Sequence, residues 1–150
     1  MFDNASTAFI RQHFEQWAAD APQREQELGA EAAARESRGL SRAQRYRFCI
    51  QIDDDSLQSI VNGPIPEDYP MPSALGYFKI IRKDWGPDEE EEEEEEEAKQ
   101  EPLEGCALYN VGWMRVRYSS GMLRVYSFLR SPNGWDIDYR LPPEVAVLGA

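Results

Sequence analysis

A chain of 150 residues, 41% apolar and 11% aromatic, is long enough to bury one core unaided, so a disulfide scaffold and a wholly disordered chain are excluded. Its net charge of −12 is local: residues 88–104 hold twelve acids against one lysine, and the remainder is close to neutral. There is no basic surplus of the kind a nucleic-acid domain carries, and no window approaches a membrane span of about 18 apolar residues.

The first residues, "MFDNASTAFIRQHF", place Asp3 and polar side chains where a secretory leader needs an apolar run, which predicts an intracellular protein, cytoplasmic or nuclear. In "STAFIRQHFEQWAAD", Phe9, Ile10, Phe14, Trp17 and Ala21 recur at helical spacing, with Ser6 as N-cap and Arg11, Glu15 and Gln16 on the opposite side. His13, the only histidine, projects from the apolar side. A second helix is expected in "QREQELGAEAAARESRG", on propensity, with Gly39 as its stop and little to bury.

"RYRFCIQI" alternates Tyr46, Phe48, Ile50 and Ile52 against Arg45, Arg47, Cys49 and Gln51, the period of a half-buried strand. "DDDSLQSIVNGP" predicts a two-turn helix that begins at Asp54 or Asp55, buries Leu57, Ile60 and Val61, and stops at Asn62-Gly63-Pro64. Four prolines between Pro64 and Pro72 make an extended connection, and "ALGYFKIIRKDW" reads as a strand with both faces partly apolar. From Gly86 to Glu104 only Ala98 and Leu103 are apolar, and the like charges of Asp88 to Glu97 repel one another, so this stretch reads as a flexible acidic insert within one domain.

The C-terminal part contains three alternating runs separated by "SSG" and "SPNG", which predicts a three-stranded meander. Pro132 and Gly134 suit a turn that closes Ser131 on Trp135, and a two-residue turn at Ser120-Gly121 sets Arg117 opposite Arg124. One face would then carry Trp113, Arg115, Arg117, Arg124 and Tyr126. These five are the candidate binding residues. Directly opposed arginines repel unless an anion lies between them. Asp136 and Asp138 could supply it by pairing, or an external anion or nucleic acid could, the latter disfavoured by the chain's negative field.

Chemistry of other kinds finds no support. Without a second histidine, no Ser-His-Asp or Cys-His arrangement can be built around any residue but His13. Asp53-Asp54-Asp55 lacks the glycine and terminal glutamate of a calcium loop, no glycine-rich phosphate loop occurs, and Cys49 and Cys106 lack metal or redox spacing. No cofactor is expected.

"CIQIDDDSLQSIV", "EGC", "NVGWM" and "RLPPEV" together resemble small proteins predicted in filamentous fungi, from Arg45 onward, with the Glu run as an insert. That resemblance implies no activity. The element order is also similar to the cone-shaped fold of the nuclear transport factor 2 superfamily, which implies a pocket between sheet and first helix where His13, Asp136 or Asp138 could meet in acid-base chemistry on a small substrate. The expectation is an α+β domain, two N-terminal helices followed by a mixed or antiparallel sheet. Its role would be that of an interaction protein whose acidic run engages basic partners, with a pocket enzyme and an anion-binding face as the alternatives.

Overall fold

The computed structural model describes residues 5–26, 43–65, 67–68, 75–86, 102–106, 108–120, 126–131 and 133–147. The fold is α+β: helices pack on a four-stranded mixed sheet of order β1-β2-β3-β4. Helix α1 spans Thr7–Gln26. Strand β1 (Phe48–Gln51) follows a single 3-10 turn at Gln44–Tyr46, helix α2 spans Asp54–Val61, and β2 (Tyr77–Arg82) and β3 (Trp113–Arg117) complete the antiparallel part. Helix α3 (Gly134–Asp138) precedes β4 (Val145–Ala146), which lies parallel to β3.

The α1 face differs from its apolar pattern. Phe9 is 51% exposed, whereas Thr7 and Arg11 are buried with Ala18 and Ala21, a stripe at four- and three-residue steps. Arg11 can be buried because its donors are satisfied: Nε donates to Arg82 O at 3.0 Å, and one terminal nitrogen donates to Val111 O and Gly112 O at 3.2 Å each. Its guanidinium also lies 4.5 Å from the centre of the Trp85 ring. Gly112, at φ 72°, permits this approach, since a Cβ there would stand 2.3 Å from the indole. The expected second helix contributes Gln23–Gln26 to the end of α1, and the rest of it lies outside the described residues, as does Asp88 to Glu97.

The last residues of the expected insert are built into the fold. Leu103 and Cys106 exchange backbone hydrogen bonds across a tight turn, and the Glu104 carboxylate accepts from the Thr7 amide and hydroxyl at the start of α1. An anion there meets the positive end of the helix dipole.

Asp53, the residue before the predicted start, caps α2 by accepting from the Ser56 amide at 2.9 Å. The buried residue of α2 is Ser56 rather than Leu57 or Val61, which are 47% and 62% exposed. Strand β1 ends at Gln51, paired with Lys79, so Tyr77 has no strand partner on that side. Ser59 of α2 substitutes for one, accepting from the Tyr77 amide at 3.1 Å. Strand β1 is also shorter than its alternation suggests. Tyr46 turns back in the 3-10 segment and packs with Trp17 of α1.

The meander is corrected after its first strand. Tyr118–Ser120 and Tyr126–Phe128 are helical, as is α3, so Arg117 is paired with Tyr77 and not with a second meander strand. The turn at "SPNG" closes Gly134 N on Ser131 O at 3.1 Å, and Gly134 begins α3 with Trp135 buried behind it. Packing explains the override. Phe48, Phe78, Ile80, Met114 and Val116 form a continuous apolar sheet face, and the helical turns lay Leu129, Trp135 and Tyr139 across it. A flat meander would have extended that face without covering it. On the opposite face, Ile10 of α1 packs over Ile81, Val111 and Trp113.

Candidate functional site

Cross-strand partners share a face. The register therefore puts Cys49, Ile81 and Trp113 in one row, Gln51, Lys79 and Arg115 in the next, and Tyr77 with Arg117 in a third. Helix α1 packs over the first row, and the second and third rows hold the cations. The five residues singled out in the sequence are thus divided. Trp113 is 4% exposed, under Lys79 at 4.7 Å, and is no open stacking platform. Arg115 and Arg117 are half-buried neighbours on one face. Tyr126 begins the helical segment Tyr126–Phe128 and is not a strand partner of β3, and Arg124 lies outside the described residues.

The like-charge opposition that the sequence suggests does occur, but between Lys79 and Arg115. Lys79 is neutralised by Asp53, Nζ to Oδ2 2.7 Å. Burial pushes the Asp53 carboxyl up, but hydrogen bonds from Lys79 and Ser56 outweigh it and hold the group down at about 2. Asp53 therefore serves two elements, as cap of α2 and as counter-ion of β2. Arg115 stacks on the Tyr77 ring at 4.5 Å and donates to Pro143 O at 3.4 Å. Asp136 and Asp138 do not pair with either arginine among the described residues. Burial raises the Asp138 carboxyl, opposed only by Arg140.

A second site lies between α1 and β1. Ile10, His13, Phe14 and Trp17 of α1 face Arg45 and Phe48, Cys49 and Ile50 of β1 across an open groove of about 470 Å³. Phe14 stacks on Trp17 at 5.6 Å and Trp17 on Tyr46 at 5.8 Å, an aromatic wall anchored where Glu25 accepts from the Tyr46 hydroxyl at 2.8 Å. Glu25 also pairs with Arg45 at 2.7 Å, which leaves this end of the groove nearly neutral.

The groove runs along the β1 edge of the sheet. Lys83 N donates to Arg47 O, and Arg82 N donates to Gly112 O on the other side. Strand alternation from these bonds turns the backbone groups of Cys49 and Gln51 toward β2 and those of Phe48 and Ile50 outward. Among the described residues, no backbone group accepts from or donates to these outward N–H and C=O groups. Periodicity could have flagged Phe48 and Ile50 only as core residues; edge position is a property of topology.

Chemistry in the groove is limited. Burial pushes the Cys49 thiol up to about 11, with Arg11 too weak to offset it, so the group is a neutral thiol near pH 7 and not an activated nucleophile. Asp136 and Asp138 belong to α3, on the Phe48–Val116 side of the sheet, whereas His13 belongs to α1 on the other side. The described residues do not bring them together. No group of three or more His, Cys, Asp or Glu side chains suited to a metal ion occurs among the described residues, and none of their helices is long and apolar enough to cross a membrane. Compared with protein-family models, curated proteins and solved structures, the chain matches none.

Proposed function

We propose that the chain is a non-enzymatic interaction domain that takes up an extended peptide along the outer edge of β1. The observation that carries this reading is the outward pair of backbone groups at Phe48 and Ile50 opening on a groove walled by Ile10, Phe14 and Trp17. A strand added there would gain main-chain hydrogen bonds from the edge and place alternate side chains against the aromatic wall, the mode of β-strand addition. Four edge hydrogen bonds are worth about 2–6 kcal/mol net, no more than the roughly 4–15 kcal/mol cost of association. Affinity must then come from apolar side chains buried in the groove, so the peptide carries apolar residues at every second position.

Asp88 to Glu97 fixes the second property of the partner. With −12 on the chain and most of it in that run, long-range attraction favours a peptide with basic flanks, and acts chiefly on the association rate. The two features are separable by kinetics. Extended peptides selected on the intact chain should bind Ile50→Pro at least about tenfold more weakly, because proline removes the outward donor while leaving the ladder bonds of Cys49 and Gln51 in place. Deleting Asp88 to Glu97 should slow association at low salt and leave dissociation unchanged. Equal binding by wild type and Ile50→Pro would refute the edge reading.

A further inference from the structure

Arg115 and Arg117 form a second site, independent of the groove and separated from it by β2. Neither guanidinium meets a carboxylate among the described residues, since the nearby Asp53 is committed to Lys79. The Nε of each is cut off from solvent and has no acceptor among the described residues. A guanidinium that has lost part of its hydration without gaining a counter-ion is under-satisfied, and its remaining terminal donors bind an anion more strongly than those of a fully solvated arginine. Arg115 is held in place by the Tyr77 ring and Pro143 O, so less conformational entropy is lost when it binds.

We infer that Arg115 and Arg117 bind a phosphate-class oxyanion on this face of β3. Alternate residues on a strand stand about 6.6 Å apart, close enough for two guanidinium groups to grip one tetrahedral anion. A lone carboxylate is satisfied by a single bidentate arginine; two side by side match an anion with three or more oxygens. The net charge of −12 opposes this at long range, but a Debye length of about 8 Å at physiological salt confines the opposition. Deleting Asp88 to Glu97 should therefore tighten binding at low salt more than at physiological salt.

The test is titration of the intact chain with inorganic phosphate and with pyrophosphate, followed by calorimetry and by backbone amide shifts. The shifts should centre on residues 115–117 and Tyr77. Arg115→Gln and Arg117→Gln should each weaken binding about tenfold or more, while Arg130→Gln, at an exposed turn, leaves it unchanged. If a glutamine variant fails to fold, Arg117→Lys decides: charge is kept and the planar donor pair is lost, so binding weakens while the shift map stays put. Absence of pyrophosphate binding to wild type at about 10 mM would overturn the site, given that such affinity lies below what two charge-assisted contacts supply. Shifts centred elsewhere, or binding equal to wild type in Arg117→Lys, would overturn it as well.

Discussion

The two faces of the sheet are built from the same strands and do different work. On one, Phe48, Phe78, Ile80, Met114 and Val116 are sealed by Leu129, Trp135 and Tyr139, and Met114 and Val116 have no exposed surface. On the other, α1 covers Ile81 and Trp113, after which the face turns to Lys79, Arg115 and Arg117. The difference follows from chain order. Leu129, Trp135 and Tyr139, all after β3, return to the first face, whereas the second is covered in part by α1 together with Leu103, Cys106 and Leu141. The large buried side chains are concentrated on the sealed face, and Arg115 and Arg117 of the other stay half-buried.

Breaking the sealed face should cost most. Trp135→Ala should destabilise the fold by about 3–5 kcal/mol in chemical denaturation, whereas Trp135→Phe should cost far less, because the buried indole N–H has no partner to lose among the described residues. Gly112→Ala should cost about 3 kcal/mol or more, since the new Cβ both meets the Trp85 ring and fixes a left-handed φ. Next comes the boundary between apolar and cationic rows. Asp53→Asn should lose about 2–3 kcal/mol near neutral pH by leaving Lys79 without its counter-ion, while the asparagine oxygen still caps α2.

The pH dependence of that loss has a definite sign. Because Asp53 is held at about 2 when folded, below its unfolded value, its stabilisation is complete above the unfolded value and fades as pH falls toward about 2. The gap between wild type and Asp53→Asn should close over that window. The smallest effect is expected in the cationic rows: Arg117→Gln should change stability by no more than about 0.5 kcal/mol, in contrast to its effect on phosphate. A large loss of stability there would make Arg117 a structural residue and remove the distinction between the faces.

Much of this was legible in the sequence, and the failures are informative. Helix α1, β1, α2, β2 and β3 follow from apolar period and turn residues, and the aspartate triplet marks the start of α2, with Asp53 as its cap. Arg11 was misassigned because periodicity scores it as polar, whereas the backbone carbonyls of Arg82 in β2 and of Val111 and Gly112 just before β3 make its burial favourable. The meander was misread because runs of three to five alternating residues fit a strand and a helical turn equally well, and the need to cover Phe78 and Met114 decided between them. Of the site, Arg115 and Arg117 were visible as a same-face pair. The edge position of β1 was not, since it depends on the order of strands in the sheet.

The interaction reading is tested most directly by hydrogen exchange of the Phe48 and Ile50 amides in the intact chain, free and with a saturating selected peptide. Both amides face outward from β1 and should exchange readily in the free chain, then become protected on binding, while Cys49 and Gln51, already bonded to β2, change little. Protection that appears elsewhere with Phe48 and Ile50 unchanged would contradict strand addition at this edge.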